Sequence, residues 1–351
     1  MKARSRVLLI RASEKSDWHS MNRINIQWVE AYRTAFRASC SVVECSNRAP
    51  FRIPPLEEND QLVLLDHHLQ YSRLLGALAA IGGAKPLLNA HLFADFLKRP
   101  DQIAAARELS KRFDVRFFVA SRWMRDEVLR ELPGADVRVI PFPVSGVFFE
   151  TALGAPTKRP GRWAYAGRIH PDKGLDQLLD HLLRAGGTPF QFEIFGWWCA
   201  NRYESWSESL EDFEFRRRKL AALIGALKPK PRLVKTEKGL ANSFKKIDAL
   251  VFPSIFKGEE FGYALAQALA AGKPCWISNW RGHRDFAACP GVGLLPVLER
   301  EGRIPTLEFA SLPRSSGGAA PALRRRIRSW ARRNHSIEAV ASKLREAILG
   351  T

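Results

Sequence analysis

Two short stretches hold residue types that could act on an anion and on a polyol. The first is "AGRIHPDKGLDQLL", residues 166–179, with Arg168 and Lys173 on either side of a turn. A strand running into Gly167 and a helix opening near Gly174 leave both cations beside a helix N-terminus. Its free N–H groups and dipole already favour an anion, and an Arg and a Lys there suit a diphosphate. The stretch is neither a P-loop nor a GxGxxG fingerprint, and a surface turn with incidental charges has the same spacing. The second stretch is "KGEEFGYALAQALAAGKP", residues 257–274. Glu259 and Glu260 precede Phe261–Gly262, and an alanine-rich helix follows, closed by Gly272 in a C′ role. Acids at that end complement the helix dipole by about 0.3–1 kcal/mol; one of them can instead accept hydrogen bonds from sugar hydroxyls. Tyr263 and Gln267 lie one turn apart on one face. An amide there can bond a ribose diol, because it both donates and accepts.

Alternating short apolar runs and helical patterns must position these residues. In the first half "RVLLIR", "CSVVEC", "QLVLLD", "PLLNAH", "VRFFVAS" and "VRVIPFPV" read as strands. "INIQWVEAYRTAF" reads as a helix with Ile24, Trp28, Val29, Tyr32 and Phe36 on one face, and Ser121 reads as the N-cap of "RWMRDEVLREL". After "GAPTKRPG", residues 154–161, the pattern restarts with "RWAYAG", "FQFEIFG", "RLVKT", "DALVFPS" and "CWISNW" as strands. Such alternation argues for parallel sheets with right-handed crossovers. The expected fold is therefore α/β, two doubly wound Rossmann-like domains facing a cleft, with ligands beyond the carboxyl ends of the strands. The expected boundaries are 1–150, 151–330 and a closing helix over 331–351.

The chain has 351 residues and a formal charge of +19. Residues 1–150 carry 22 Lys+Arg against 17 Asp+Glu, and residues 151–351 carry 33 against 19, so +14 of the excess sits in the second part. "RRRK" (216–219), "KPKPR" (228–232) and "RRRIR" (324–328) concentrate it. Such a field attracts nucleotides, nucleic acid or anionic lipid, although each run is equally well a solvated helix face. Five scattered cysteines with no CxxC spacing read as free thiols in a reducing compartment. The apolar run near the start is too short for a signal peptide, and "LLGALAAIGGA" is too short to span a bilayer. A cytoplasmic location follows, at most peripheral on the inner face of a membrane.

Together the two stretches resemble family 4 of the glycosyltransferases, retaining enzymes of the GT-B fold. The elements carrying the resemblance are Gly-Arg-x-x-x-x-Lys-Gly after a strand, then Pro-Ser, then Glu-x-Phe-Gly, then Ala-x-Ala-x-Gly-x-Pro. "FEIFG", "IDALVFPS" and "PCWISNWRGHRDF" fall in the same order. In the first half, "FFVASRWMRDEV" and "VRVIPFPV" look like the last strand–helix–strand before the interdomain joint. "NHSIEAVASKLREAI" looks like the helix that packs back across the domains. The resemblance implies that Arg168 and Lys173 hold the donor diphosphate and neutralise it as the sugar departs. It implies that Glu259 contacts the donor sugar and that the backbone of Phe261 and Gly262 faces sugar and phosphate. Gly167, Gly196, Glu260, Tyr263 and Gln267 complete the donor set. Gln267 stands where a second acid usually binds the ribose. If it faces that ribose, Gln267→Glu preserves or improves donor affinity. His91, ending "PLLNAH", matches a histidine beside the reaction centre, while a satisfied strand-end histidine is its plain structural alternative.

The chain also departs from the family. Residues 13–23, "SEKSDWHSMNR", lack the usual glycine pair near the acceptor. Gly282 keeps one of two glycines common after the later strand, and Asp285 replaces the usual Glu. No Asp-x-Asp motif is present, so no metal and no cofactor are expected. The expected function is retaining transfer from a nucleoside-diphosphate sugar to the hydroxyl of a glycan or lipid-linked acceptor in envelope polysaccharide synthesis. "IRSWARR" (327–333), taken as an exposed aromatic–basic segment, adds an anionic membrane surface as a partner. Nucleic acid is not expected as one. The alternative is a catalytically silent, transferase-like binding module, motivated by Gln267 and the missing glycines.

Overall fold

A computed structural model describes residues 6–12, 19–45, 56, 60–65, 86–153, 161–185, 191–199, 209–227, 231–301, 303–313 and 319–350. Most of "SEKSDWHSMNR", all of "LLGALAAIGGA" and most of "GAPTKRPG" lie outside them.

The short apolar runs of the first half pair in parallel into one sheet. Its strands are β1 (Val7–Ala12), β2 (Cys40–Cys45), β3 (Gln61–Leu64), β4 (Leu87–His91), β5 (Val115–Val119) and β6 (Asp136–Val139), in the order β2-β1-β3-β4-β5-β6. Those of the second half form β7 (Arg162–Ala166), β8 (Gln191–Phe195), β9 (Ala249–Phe252) and β10 (Cys275–Ser278), and β11 (Val292–Leu295), not among the strands expected from sequence, joins them in the order β11-β10-β9-β7-β8. Every pairing in both sheets is parallel. Near-continuous apolar strands are what a parallel sheet covered on both faces requires. Accordingly β9 is buried throughout, and β7 is buried from Trp163 to Ala166.

In each sheet the chain steps outward from its first strand, then returns to the other side. The strand order therefore reverses between β1 and β3, and again between β7 and β9. A crevice at such a reversal, beyond the carboxyl ends of the strands, is where open α/β sheets bind ligands. In the second sheet it is flanked by the segments after β7 and β9, the two stretches singled out above.

The chain divides into two units, Met1–Pro143 with His335–Thr351, and Val144–Asn334. The joints thus fall at 143/144 and 334/335 instead of 150/151 and 330/331. Packing explains the earlier first joint. Phe148 packs at a tilt against Phe244 with ring centroids 6.0 Å apart, and Arg324 donates to the Leu153 carbonyl at 2.6 Å. The closing helix, Ile337–Leu349, belongs to the first unit. Ser336 caps its start, and Arg116 and Arg138 donate to the last carbonyls, of Ala347 and Ile348, at 2.7–3.0 Å. These are carbonyls that a helix end otherwise leaves without partners.

"RLVKT" is not a strand: Arg232 makes a single isolated bridge to Phe195. Pro231 before it offers no N–H to a ladder. The basic runs are partly internal. Arg216 of "RRRK" is buried against Asp172 (3.3 Å) and Asp176 (3.7 Å). Arg324 of "RRRIR" is buried in an ion pair with Asp248 at 3.2 Å. The segment "IRSWARR" is not exposed as a whole, because the helix Pro321–His335 turns Ile327 and Ala331 inward and half-buries Trp330 against Phe286. Arg325, Arg326, Arg332 and Arg333 remain exposed. No helix among the described residues is long and apolar enough to cross a membrane.

Candidate donor-binding site

The site is built on the carboxyl ends of β7 and β9, neighbours in the second sheet. After β7 the chain passes Gly167 and Arg168, makes a short turn over Pro171–Lys173, and enters the helix Leu175–Arg184 through Gly174. Gly174 has φ +63°, and a Cβ on it would lie 2.0 Å from the Pro253 carbonyl oxygen. Only glycine fits there, so the segments after β7 and β9 touch, and the Ile255 N–H donates to the Asp172 carbonyl at 3.0 Å. Gly196, at the end of β8, meets the same loop. A Cβ on it would lie 1.9 Å from the Gly167 carbonyl oxygen.

This contact brings Lys173 to Glu259 across 86 residues of sequence. The Lys173 ammonium donates to Glu259 Oε2 at 2.6 Å. Ser254 Oγ donates to the same oxygen, and His283 Nε2 lies 4.0 Å from it. Lys173 Nζ sits 4.7 Å from the centre of the Phe256 ring and the Arg168 guanidinium 5.5 Å from it. Both cations are therefore held near one aromatic ring. Burial alone would raise the Glu259 pKa. The Lys173 and His283 charges and the hydrogen bonds from Lys173 and Ser254 outweigh it and hold the carboxyl at about 2. Burial pulls the Lys173 pKa down, and Glu259 opposes it. With a carboxylate 2.6 Å away, the ion-paired form is the one the geometry holds.

His283 is buried, which lowers its pKa to about 4 and keeps it neutral near pH 7. Its tautomer follows from the hydrogen count. Ser278 has one hydroxyl hydrogen and donates it to the Ser254 carbonyl at 2.6 Å. The 3.0 Å contact between Ser278 Oγ and His283 Nδ1 must then be an N–H donated by the ring. Nε2 is left unprotonated beside Glu259 and against Gly262, where a Cβ would come within 2.7 Å.

The turn Glu259–Gly262 is gripped from the β10 side. The Gly282 N–H donates to the Glu259 carbonyl at 3.0 Å, and a Cβ on Gly282 would lie 2.0 Å from the Glu260 carbonyl oxygen. The preceding Arg281 adopts φ +40°, a conformation that glycine takes more readily. Phe261 turns its side chain inward, 5.0 Å from Phe286, which leaves the backbone of the turn as its contribution to a ligand. Gly262, at φ +86°, then opens the helix Tyr263–Ala270.

Tyr263 and Gln267 do share a face, and both meet Glu237, in the first turn of the helix Glu237–Lys245. Tyr263 Oη and Gln267 Nε2 each donate to Glu237 Oε1 at 3.3 Å. Gln267 is 2% exposed, whereas Tyr263 and Glu237 are half-buried. His91 lies in the first unit, at the end of β4. It is buried, bonded through Nε2 to Tyr32 Oη at 2.7 Å and packed on Trp28, with burial lowering its pKa to about 3.

Four participants had no role assigned from sequence. Ser254 was visible only as half of a Pro-Ser pair, and Phe256 as a loop aromatic. His283 stands in the quoted "RGHRDF". Glu237 reads locally as a dipole-complementing acid after the Thr236 N-cap. Among the described residues no group of three His, Cys, Asp or Glu side chains could hold a metal ion. What the second unit can do is grip an anion with Arg168 and Lys173 and present a fixed carboxylate beside it.

Residues 155–295, which contain all of these second-unit groups, match the family model described as glycosyl transferases group 1. The second unit carries a group 1 glycosyl transferase domain. A comparison with curated proteins found no match. Among solved structures, HepE from Anabaena in complex with UDP superposes with a TM-score of 0.66 at 11% identity, covering 99% of this chain and 100% of that one. The lipopolysaccharide outer core galactosyltransferase WaaB, in its apo form, gives 0.66 at 16% identity, with 98% and 99% covered. Sucrose-phosphate synthase from Thermosynechococcus elongatus gives 0.58 at 15% identity, with 99% and 100% covered. At these identities the likeness shows the fold, which is the GT-B fold with its two parallel sheets.

Proposed function

We propose that this group 1 glycosyltransferase is a retaining, metal-independent enzyme that moves a sugar from a nucleoside diphosphate to an acceptor hydroxyl. The observation that carries the reading is the Lys173–Glu259 pair, joined at the strand-order reversal with Arg168 beside it. In this role the ammonium keeps two donors for a diphosphate while one holds Glu259. Arg168 and the backbone of Phe261–Gly262 add to the field that stabilises charge growing on the leaving phosphate. Glu259 accepts hydrogen bonds from donor-sugar hydroxyls.

Structural neighbours bound to UDP or UDP-glucose support a uridine nucleotide as the first donor to test. A lipid-linked acceptor of an envelope glycan suits the +14 charge of residues 151–351 and the four exposed arginines of the helix Pro321–His335. On this reading the protein acts at the inner face of a membrane. Sedimentation with anionic liposomes at low salt tests that part, and unchanged sedimentation refutes it.

The central test is a thermal-shift screen with UDP, GDP, ADP and CMP, followed by donor hydrolysis. A ligand at a hundredfold excess over Kd adds about 2.7 kcal/mol to the folded state. A shift with one nucleoside diphosphate, and hydrolysis of its sugar that is lost in Lys173→Ala, is the expected result. No shift with any nucleotide refutes the function. A shift without turnover identifies a silent binding module.

A further inference from the structure

Resting on the donor reading above, the geometry points to Glu237 as the carboxylate that recognises the nucleoside's ribose diol, with Gln267 as its positioning residue. Two polar side chains of the helix Tyr263–Ala270 converge on one atom of Glu237. Tyr263 Oη and Gln267 Nε2 come from successive turns of that helix, and both donate to Glu237 Oε1 at 3.3 Å. Contacts of this length are weak, so they orient the carboxylate while leaving most of its acceptor capacity for a ligand. An ionised carboxylate only accepts, at about four lone-pair positions over two oxygens. Two adjacent hydroxyls, each donating one hydrogen, match that acceptor set, and a vicinal diol is the simplest group that offers them.

Burial divides the labour. Gln267 is 2% exposed, so its amide serves the carboxylate from behind, while half-buried Glu237 can meet a ligand. Position also fits. Gln267 lies one helical turn, about 5.4 Å, beyond Tyr263, and Tyr263 directly follows the Phe261–Gly262 backbone proposed to face the phosphate. A ribose carrying its 5′ phosphate to that turn would extend its diol edge along the helix toward Glu237. Glu237 is itself fixed at the start of its helix, where the Thr236 side chain accepts the Gly239 N–H at 3.0 Å. The carboxylate is thus supplied from outside the helix that carries the rest of the turn, 30 residues before Gln267.

The test compares ribo- and 2′-deoxyribo-nucleoside diphosphates on the full chain by titration calorimetry, using the base that the thermal screen selects. The wild type should bind the ribonucleotide about tenfold or more tightly, the scale of one hydrogen bond to a charged group. In Glu237→Gln, which keeps the shape and removes the charge, that ratio should fall to about threefold or less. The deoxynucleotide affinity should stay near its wild-type value. Gln267→Ala should lower the ratio partway, which a merely structural role would not do. An undiminished ratio in Glu237→Gln overturns the assignment, as does a wild type that does not discriminate. Failure of every nucleoside diphosphate to bind the wild type overturns the donor reading itself. Should Glu237→Gln fold poorly, Glu237→Asp carries the test: it keeps the charge, withdraws it by one methylene, and should lower the ratio without abolishing it.

Discussion

Gln267→Glu separates two accounts of one residue. Read from sequence, the change restores the usual acid and should hold or raise donor affinity. In the structure, Gln267 Nε2 donates to Glu237 Oε1 at 3.3 Å, and Gln267 is 2% exposed. The substitution replaces a donor by a second carboxylate at the same point. Two unit charges 3.3 Å apart repel by about 5 kcal/mol at an effective dielectric constant of 20. Glu237 is half-buried, so solvent screening reduces this to about 2–3 kcal/mol. A protonated acid relieves it, so the pair should retain a proton in the folded state that the unfolded chain releases above about pH 4.3. The sign follows. Where the folded state binds more protons than the unfolded one, stability falls as pH rises, by up to about 1.4 kcal/mol per pH unit. The variant should therefore match the wild type near pH 4.5 and lose about 2–3 kcal/mol by pH 8. For a unit of this size that is about 5–10 °C in thermal midpoint. Differential scanning fluorimetry from pH 4.5 to 8 reads it directly. Equal midpoints at every pH, with tighter nucleotide binding by the variant, would refute the Glu237 contact and restore the sequence-based account.

Further perturbations test the rest of the site. Lys173→Met leaves Glu259 buried without its cation, which should cost about 3–5 kcal/mol. In a double-mutant cycle with Glu259→Gln the double variant should recover much of that loss, and strict additivity would count against the pairing. His283 is held neutral with a pKa of about 4. A base whose folded pKa lies below its unfolded value of about 6.5 contributes nothing adverse above pH 6.5 and destabilises the fold as pH falls toward 4. His283→Asn should accordingly flatten the acid limb of the stability curve between pH 6.5 and 4 by up to about 3 kcal/mol, and an unchanged limb excludes the assignment. Gly282→Ala drives a Cβ to 2.0 Å from the Glu260 carbonyl oxygen. Because that neighbour is backbone, the turn must move, and a loss of at least about 1–3 kcal/mol with weakened nucleotide binding is expected. Circular-dichroism melts and calorimetry check it, and a wild-type-like protein would show that the turn yields freely.

The parallel sheets were largely legible because most strands are short apolar runs that alternate with helical patterns, whereas Val292–Leu295, a short segment following a Pro-Gly pair, was not. These are local signals; the two strand-order reversals come from how the strands pair in the folded sheets. Arg168, Lys173 and Glu259 were legible as types beside helix starts. Their union was not, since the Lys173–Glu259 bond spans 86 residues and depends on Gly174 lying against Pro253. Glu237 was hidden for the same reason. At the first position of its helix an acid complements the dipole whatever else it does, and only the neighbouring helix brings side chains that donate to it. The isolated Gly282 was read as half of a missing motif, yet its carbonyl contact shows that the retained glycine is the one with no room for a side chain, while Arg281 tolerates φ +40°. The first joint lies a few residues before the expected one because Phe148 and Leu153 pack with the second unit, through contacts that composition does not display.

The electrostatics also restrict what Glu259 can do. A carboxyl held at about 2 is ionised at any pH at which the protein would work, so it has no proton to give. As a base it is weak, because the Lys173 charge and the Lys173 and Ser254 hydrogen bonds stabilise the ionised form. Efficient proton transfer needs a pKa near the working pH. Neighbouring His283 is no better placed, with Nδ1–H committed to Ser278 and a pKa of about 4. The chain Ser278–Ser254–Glu259–Lys173 is thus a scaffold of fixed dipoles and charges, with each serine hydroxyl committed to one acceptor. Such an arrangement stabilises charge without reorganising. It suits the proposed role of holding a diphosphate and a sugar in register, and under that proposal it leaves the departing phosphate as the strongest base that the reaction itself brings into the second unit.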